Sequence, residues 1–201
     1  MMCLGMSMPG SQWAQRAPPP LTNPHPGYCA PEYTPTRRGF HTFLGFYLGS
    51  QNHFTHDRDY KAQEDDPPAF YDFREGEAVS KDYTGVYSTE IFKKRTQDII
   101  LDVADRRELN AYGNYQPFFT FLSFQATHAP LQARAEVMEL IPETGNPARD
   151  IYKAMVMDMD MAVEEIVTTL KETGLYKDTL IVFTSDNGGA ISHGASNWPL
   201  R

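Results

Sequence analysis

Leu180-Ile-Val-Phe-Thr-Ser-Asp-Asn-Gly-Gly189 decides the reading of this chain. Leu180 to Phe183 is an unbroken apolar run of β-branched and aromatic type, which suits a strand covered on both faces, as in a parallel sheet. It ends abruptly in a carboxylate, an amide and two glycines. In open α/β sheets ligands bind just beyond the carboxyl ends of the strands, so Asp186 and Asn187 stand where such a fold keeps its chemistry. Asp offers a charged oxygen and Asn a neutral one, a donor mixture suited to Ca²⁺ or Mg²⁺, and Gly188 and Gly189 let the backbone approach closely. The same residue types are the commonest turn formers, so the segment by itself reads first as a tight turn.

Working outward, residues 150–174 carry Ile151, Met155, Met159, Ala162, Ile166 and Leu170 at spacings of three and four, which predicts an amphipathic helix ending at Gly174. Before it, Pro117 opens Phe118-Phe-Thr-Phe-Leu-Ser-Phe124, too apolar for a surface strand. Strand, helix and strand in this order make a βαβ unit, expected to be right-handed with parallel strands. Parallel strands share a carboxyl edge, so His128, just past the first strand, is expected on the same rim as Asp186 and Asn187. An imidazole there can donate a hydrogen bond to an oxyanion or relay a proton. A second helix is expected from Ser88 or Thr89 as cap, with Ile91, Phe92, Ile99, Ile100 and Val103 on its apolar side.

With 201 residues the chain can bury one good core. Lys plus Arg number 18 against 26 for Asp plus Glu, and the net charge of -8 leaves no basic footprint for nucleic acid or anionic membrane. Cys3 and Cys29 are the only cysteines, which excludes a disulfide framework and a Cys-rich zinc site. No segment reaches the roughly 20 apolar residues that span a bilayer. Met1 to Gly10 has neither a basic n-region nor a sustained apolar run, so no signal peptide is expected, and no Asn-x-Ser/Thr sequon occurs. Residues 1–24, with Pro18, Pro19 and Pro20 in succession, show no periodicity and read as disordered or as a misjoined segment. Residues 57–68 and Asn110 to Gln116 read as polar loops.

Several separated stretches, in order, resemble one family. Thr34-Pro-Thr-Arg-Arg-Gly-Phe40, Gly45-Phe-Tyr-Leu-Gly49 and Thr55-His-Asp57 are similar to the segment after the active-site His of arylsulfatase B-type sulfatases. The likeness continues through Asp72-Phe-Arg74, Tyr87-Ser-Thr89, Phe124-Gln-Ala-Thr-His-Ala-Pro-Leu131, Ser185-Asp-Asn-Gly-Gly189 and Asn197-Trp-Pro-Leu-Arg201. It makes residues 25–201 a partial sulfatase catalytic domain.

The resemblance implies an alkaline-phosphatase-like α/β fold with a mostly parallel sheet flanked by helices, incomplete here. It also implies hydrolysis of sulfate esters, on sulfated amino sugars of glycosaminoglycans, in a lysosomal or extracellular setting. It implies one bound Ca²⁺, with Asp186 and Asn187 as the later ligands, and His128 as a contact of the substrate sulfate. His25 stands in the place of the active-site His, within Asn23-Pro-His-Pro-Gly27 where the family has Lys-Trp-His-Leu-Gly. The family's nucleophile is a formylglycine made from the Cys of Cys-x-Pro-x-Arg, preceded by an Asp-Asp metal pair. Neither is present: Cys29-Ala-Pro31 is followed by Tyr33 where Arg is required, and it lies on the wrong side of His25. The family's second Lys would lie beyond Arg201. An isolated chain of this kind is expected to be inactive and to hold its cation poorly. Two other readings are a non-catalytic protein that binds sulfated sugars and a phosphoesterase of the alkaline phosphatase superfamily.

Overall fold

The computed structural model describes residues 31–58, 70–106 and 117–199. His25, Cys29, residues 1–24, most of the expected 57–68 loop and the Asn110 to Gln116 loop lie outside them. The chain divides into two compact units, Met1–Gln125 and Ala126–Arg201.

In the first unit β1 (Leu44–Gly45), β4 (Arg74–Glu75) and β5 (Ala78–Val79) form an antiparallel sheet in the order β1-β4-β5. A second antiparallel ladder pairs β2 (Asp57–Arg58) with β3 (Phe70–Tyr71). The register Glu75↔Ala78 closes β4 to β5 through the two residues Gly76 and Glu77, and Gly76 supplies φ +62°. A side chain at that φ would be strained even though the space around it is open. Phe43, Leu44, Phe46 and Phe73 are fully buried. The ring of Phe73 lies 6.0 Å from Phe92 and 6.5 Å from Phe46, which joins the sheet to α1 (Ser88–Asp105).

The helix α1 forms as its periodicity requires, burying Ile91, Phe92, Thr96 and Ile100 on one face. Its cap differs from expectation. Ser88 is the first helical residue and Tyr87 the N-cap, because the Ser88 N–H donates to the His53 carbonyl at 2.9 Å and its hydroxyl lies 3.3 Å from His53 Nδ1. The His53 ring in turn stacks 5.4 Å from Tyr87. Tertiary partners have taken the groups a capping serine would use.

His56 is buried at φ +58°, 4.7 Å from the Phe73 ring, with Nε2 3.0 Å from the Tyr83 carbonyl. Burial is the main cause that holds its pKa below the ordinary 6.5, only partly offset by the Tyr83 and Val86 carbonyls and by Asp57. The unfolded chain therefore binds the proton more readily. His56 contributes stability that is complete above 6.5 and is lost as pH falls from there toward the lowered folded value. Urea melts at pH 7.5 and 5.0 should show that loss, and His56→Asn, which tolerates the left-handed backbone, should reduce the difference.

In the second unit α2 (Ala135–Met138) packs on α3 (Pro147–Glu172). Asn146 caps α3 by accepting from the Arg149 N–H at 3.2 Å, and Gly174 at φ +72° follows the C-cap Thr173. Met155, Ala162, Ile166 and Leu170 are buried as the stripe predicts. Among the described residues no helix is long and apolar enough to cross a membrane.

Neither residues 118–124 nor residues 180–185 form ladder strands, and no parallel pair occurs among the described residues. The parallel βαβ pairing is thus corrected. A strand exists only where its N–H and C=O groups join a ladder with a partner backbone, and among the described residues neither segment enters one. Leu180, Val182 and Phe183 are 89%, 77% and 73% exposed, the reverse of the two-sided burial that their composition suits.

Candidate functional site

The apolar run delivers Asp186 and Asn187 into a self-bonded turn. Asp186 Oδ1 accepts the Asn187 N–H at 2.9 Å, the Ser185 hydroxyl donates to the Asn187 carbonyl at 2.7 Å, and Asn187 Nδ2 donates to the Gly188 carbonyl at 2.8 Å. Since Asn187 donates through its nitrogen, its Oδ1 is the atom it can offer a cation. Both residues are exposed.

The two glycines serve a different contact from the one expected. A Cβ on Gly189 would fall 2.6 Å from Ala195 Cβ, and one on Gly188 would fall 3.0 Å from Asn197 Nδ2. The turn thus lies flat against residues 195–197, and the Gly189 N–H donates to Asn197 Oδ1 at 2.8 Å. Close approach is the reason for glycine, but to the side chains of Ala195 and Asn197.

His128 is exposed, with Nδ1 2.7 Å from the Ala129 carbonyl. A carbonyl only accepts, so Nδ1 carries the proton, and proton exchange with a substrate falls to Nε2. His128, Asp186 and Asn187 all belong to the second unit, whereas His25 lies outside the described residues. Among the described residues no group of three His, Cys, Asp or Glu is placed to hold a metal ion. The donor types of Asp186 and Asn187 suit a hard cation but their number does not, because Ca²⁺ takes about six to eight oxygens. The two residues by themselves do not fit the ion.

Sequence reasoning missed Arg149, Gly194 and the part played by Asn197. Asn197 opens one of the stretches that carried the resemblance, and a polar residue in a recurrent motif is the signal that could have singled it out. Arg149 lies just before the expected helix at residues 150–174, with nothing to mark it, and falls in the first turn of α3 because the helix starts at Pro147.

A family profile described as Sulfatase matches residues 22–199. Arylsulfatase J of Mus musculus is 37% identical over 180 residues, covering 88% of this chain and 28% of its own length. N-acetylgalactosamine-6-sulfatase of Mus musculus is 28% identical over 183 residues, covering 85% of this chain and 31% of its own length. The chain therefore spans under a third of these curated relatives. The crystal structure of Ps i-CgsB in complex with k-i-k-neocarrahexaose superposes with a TM-score of 0.70 at 31% identity, covering 85% of this chain and 37% of that one. That likeness assigns the chain to the alkaline-phosphatase-like α/β fold. On the match across residues 22–199, the chain belongs to the sulfatase family.

Proposed function

We propose that this chain is the part of a sulfate-ester hydrolase that carries the later half of the site, and that it is inactive by itself. The observation that carries the reading is the Asp186-Asn187-Gly-Gly189 turn, held in shape by its own hydrogen bonds and by Asn197, within a sequence matched to the sulfatase family from end to end of its described residues. Cleaving a sulfate ester needs a nucleophile in line with the leaving oxygen, stabilisation of the charge that develops, and an acid for the departing alcohol. With Nδ1 donating to the Ala129 carbonyl, His128 donates from Nε2 only as the imidazolium, and in that form it suits the last two tasks, as a hydrogen-bond donor to a sulfate oxygen or as the acid for the alcohol. Asp186 and Asn187 would supply two of the several oxygens that one Ca²⁺ needs, and the ion, held with further ligands, would stabilise negative charge on the ester. The Cys-x-Pro-x-Arg source of a formylglycine nucleophile is absent from the 201 residues.

The substrate we infer is a sulfated amino sugar of a glycosaminoglycan, of the arylsulfatase B type, in a lysosomal or extracellular setting. The stretches that resemble that family support it, as does the name of the N-acetylgalactosamine-6-sulfatase relative. A retained binding function without catalysis is the second reading, favoured by the short donor set.

The test has two arms. With a chromogenic aryl sulfate the purified chain should give no turnover above the buffer blank, and robust turnover would overturn its inactivity. In saturation-transfer NMR the chain should prefer sulfated over unsulfated N-acetylgalactosamine, and His128→Ala should erase the preference. Equal signals from the two sugars would remove the sulfate site altogether.

A further inference from the structure

The Asp186–Asn187 turn is not held by its strand, which has no ladder partner, yet it is tied into the unit by a relay of contacts that starts on α3. Arg149, in the first turn of that helix, donates from Nη1 to the Gly194 carbonyl at 2.5 Å. Gly194 sits at φ +80°, so close to the helix that a Cβ there would fall 2.7 Å from Arg149 Cα and 2.8 Å from Arg149 N. The following residue, Ala195, is buried, and its N–H donates to the Ala190 carbonyl at 3.3 Å, which folds residues 190–195 into a closed loop over the 3₁₀ turn Ile191–His193. From that loop Asn197 reaches back: Oδ1 accepts the Gly189 N–H at 2.8 Å, and its amide lies against Gly188.

We propose that Asn197 is the positioning residue of the site, fixing the backbone on which Asp186 and Asn187 are presented, and that Arg149 acting on Gly194 anchors Asn197 to α3. This rests on the reading of Asp186 and Asn187 as site residues. A ligand pair on a turn without ladder support is only as well aimed as the contacts that hold the turn, and productive sites tolerate displacements of roughly 0.5 Å. Asn197 supplies the one hydrogen bond described from residues 195–197 to the Gly188-Gly189 step, and the closeness of Gly189 to Ala195 leaves the turn no slack on that side. Asn197 touches the turn through the backbone and not through the donor oxygens, which makes it a positioning residue.

The experiment is site-resolved amide exchange by ¹⁵N NMR on the full 201-residue chain. Asn197→Ala removes the acceptor and should speed exchange at Gly189 by about tenfold, the equivalent of one ordinary hydrogen bond, while amides within α3 keep their rates. Asn197→Asp keeps an acceptor oxygen in place and should restore slow exchange. Gly194→Ala should speed Gly189 with Asn197 intact, because its methyl group pushes the loop off the helix. An unchanged Gly189 in Asn197→Ala, or equal acceleration at every amide of the second unit, would overturn the proposal. Sulfated N-acetylgalactosamine added to the unaltered chain separates the two ideas. If the relay behaves as expected but the Asp186, Asn187 and His128 amides do not shift with the sulfated sugar, the positioning stands and the reading of these residues as a site fails.

Discussion

Replacing Arg134 by Met should cost the second unit about 3–5 kcal/mol, the loss typical when one partner of a buried ion pair is removed. Asp158 lies on the buried face of α3, three residues after Met155 and four before Ala162, and is 0% exposed. Arg134, at the N-cap of α2, meets it with two parallel hydrogen bonds, Nε to Oδ2 at 2.9 Å and Nη2 to Oδ1 at 2.7 Å. Both carboxylate oxygens are thereby satisfied by a planar fork, the geometry in which Arg is not replaceable by Lys. Without Arg134 the carboxylate stays buried with no cation. Because the Arg134 side chain keeps 21% of its surface in water, the loss should fall toward the lower end of that range. The double variant Arg134→Met with Asp158→Leu should recover most of it, since an apolar pair of similar volume removes the desolvation cost with the charge. Urea unfolding followed by circular dichroism at the helix band reads both, α3 being the longest helix described. A single variant as stable as the parent chain, or a double variant worse than the single, would refute the account.

That pair also marks the limit of what the sequence made legible. Periodicity predicted α3 and its apolar stripe because Met155, Ala162, Ile166 and Leu170 speak for themselves, and Gly174 announced the end of the helix. Asp158 occupies the same face but reads as a surface charge, since pattern alone does not reveal that Arg134 approaches from 24 residues away. The strand readings failed for the opposite reason. Leu180 to Phe183 has the composition of a central strand, yet a strand is a property of two segments, and composition names only one. At the site, Asp186, Asn187 and His128 were identifiable by chemistry and family likeness. The residues that hold the turn were harder to identify: Asn197 stood out only as the polar opening of a motif stretch, and the bonds that it and Arg149 make to backbone groups are not written in residue type.

Asp72 is the corresponding point in the first unit, and Asp72→Ala is expected to destabilise it by about 3–5 kcal/mol. Asp72 is 4% exposed, and its carboxylate accepts three hydrogen bonds: Oδ2 from the N–H groups of Tyr47 and Leu48 at 2.9 and 2.8 Å, and Oδ1 from Arg74 Nε at 2.9 Å. The two backbone donors lie just beyond β1, past Phe46, where the chain has left the sheet, so Asp72 stands in for the ladder partner that those N–H groups lack. Arg74 is fixed a second time by donating to the Glu77 carbonyl at 3.0 Å and by lying 4.8 Å from the Tyr47 ring centroid. Alanine would leave two part-buried N–H groups and a guanidinium without their acceptor. Asparagine should do less harm, because Oδ1 of the amide can still take the backbone bonds while its NH₂ is turned against Arg74. Adding Arg74→Met to Asp72→Asn removes that conflict and should return part of the loss, a non-additivity that a double-mutant cycle in urea measures directly. Additive effects of the two substitutions would show that Asp72 serves the backbone alone and that its bond to Arg74 contributes nothing to the fold.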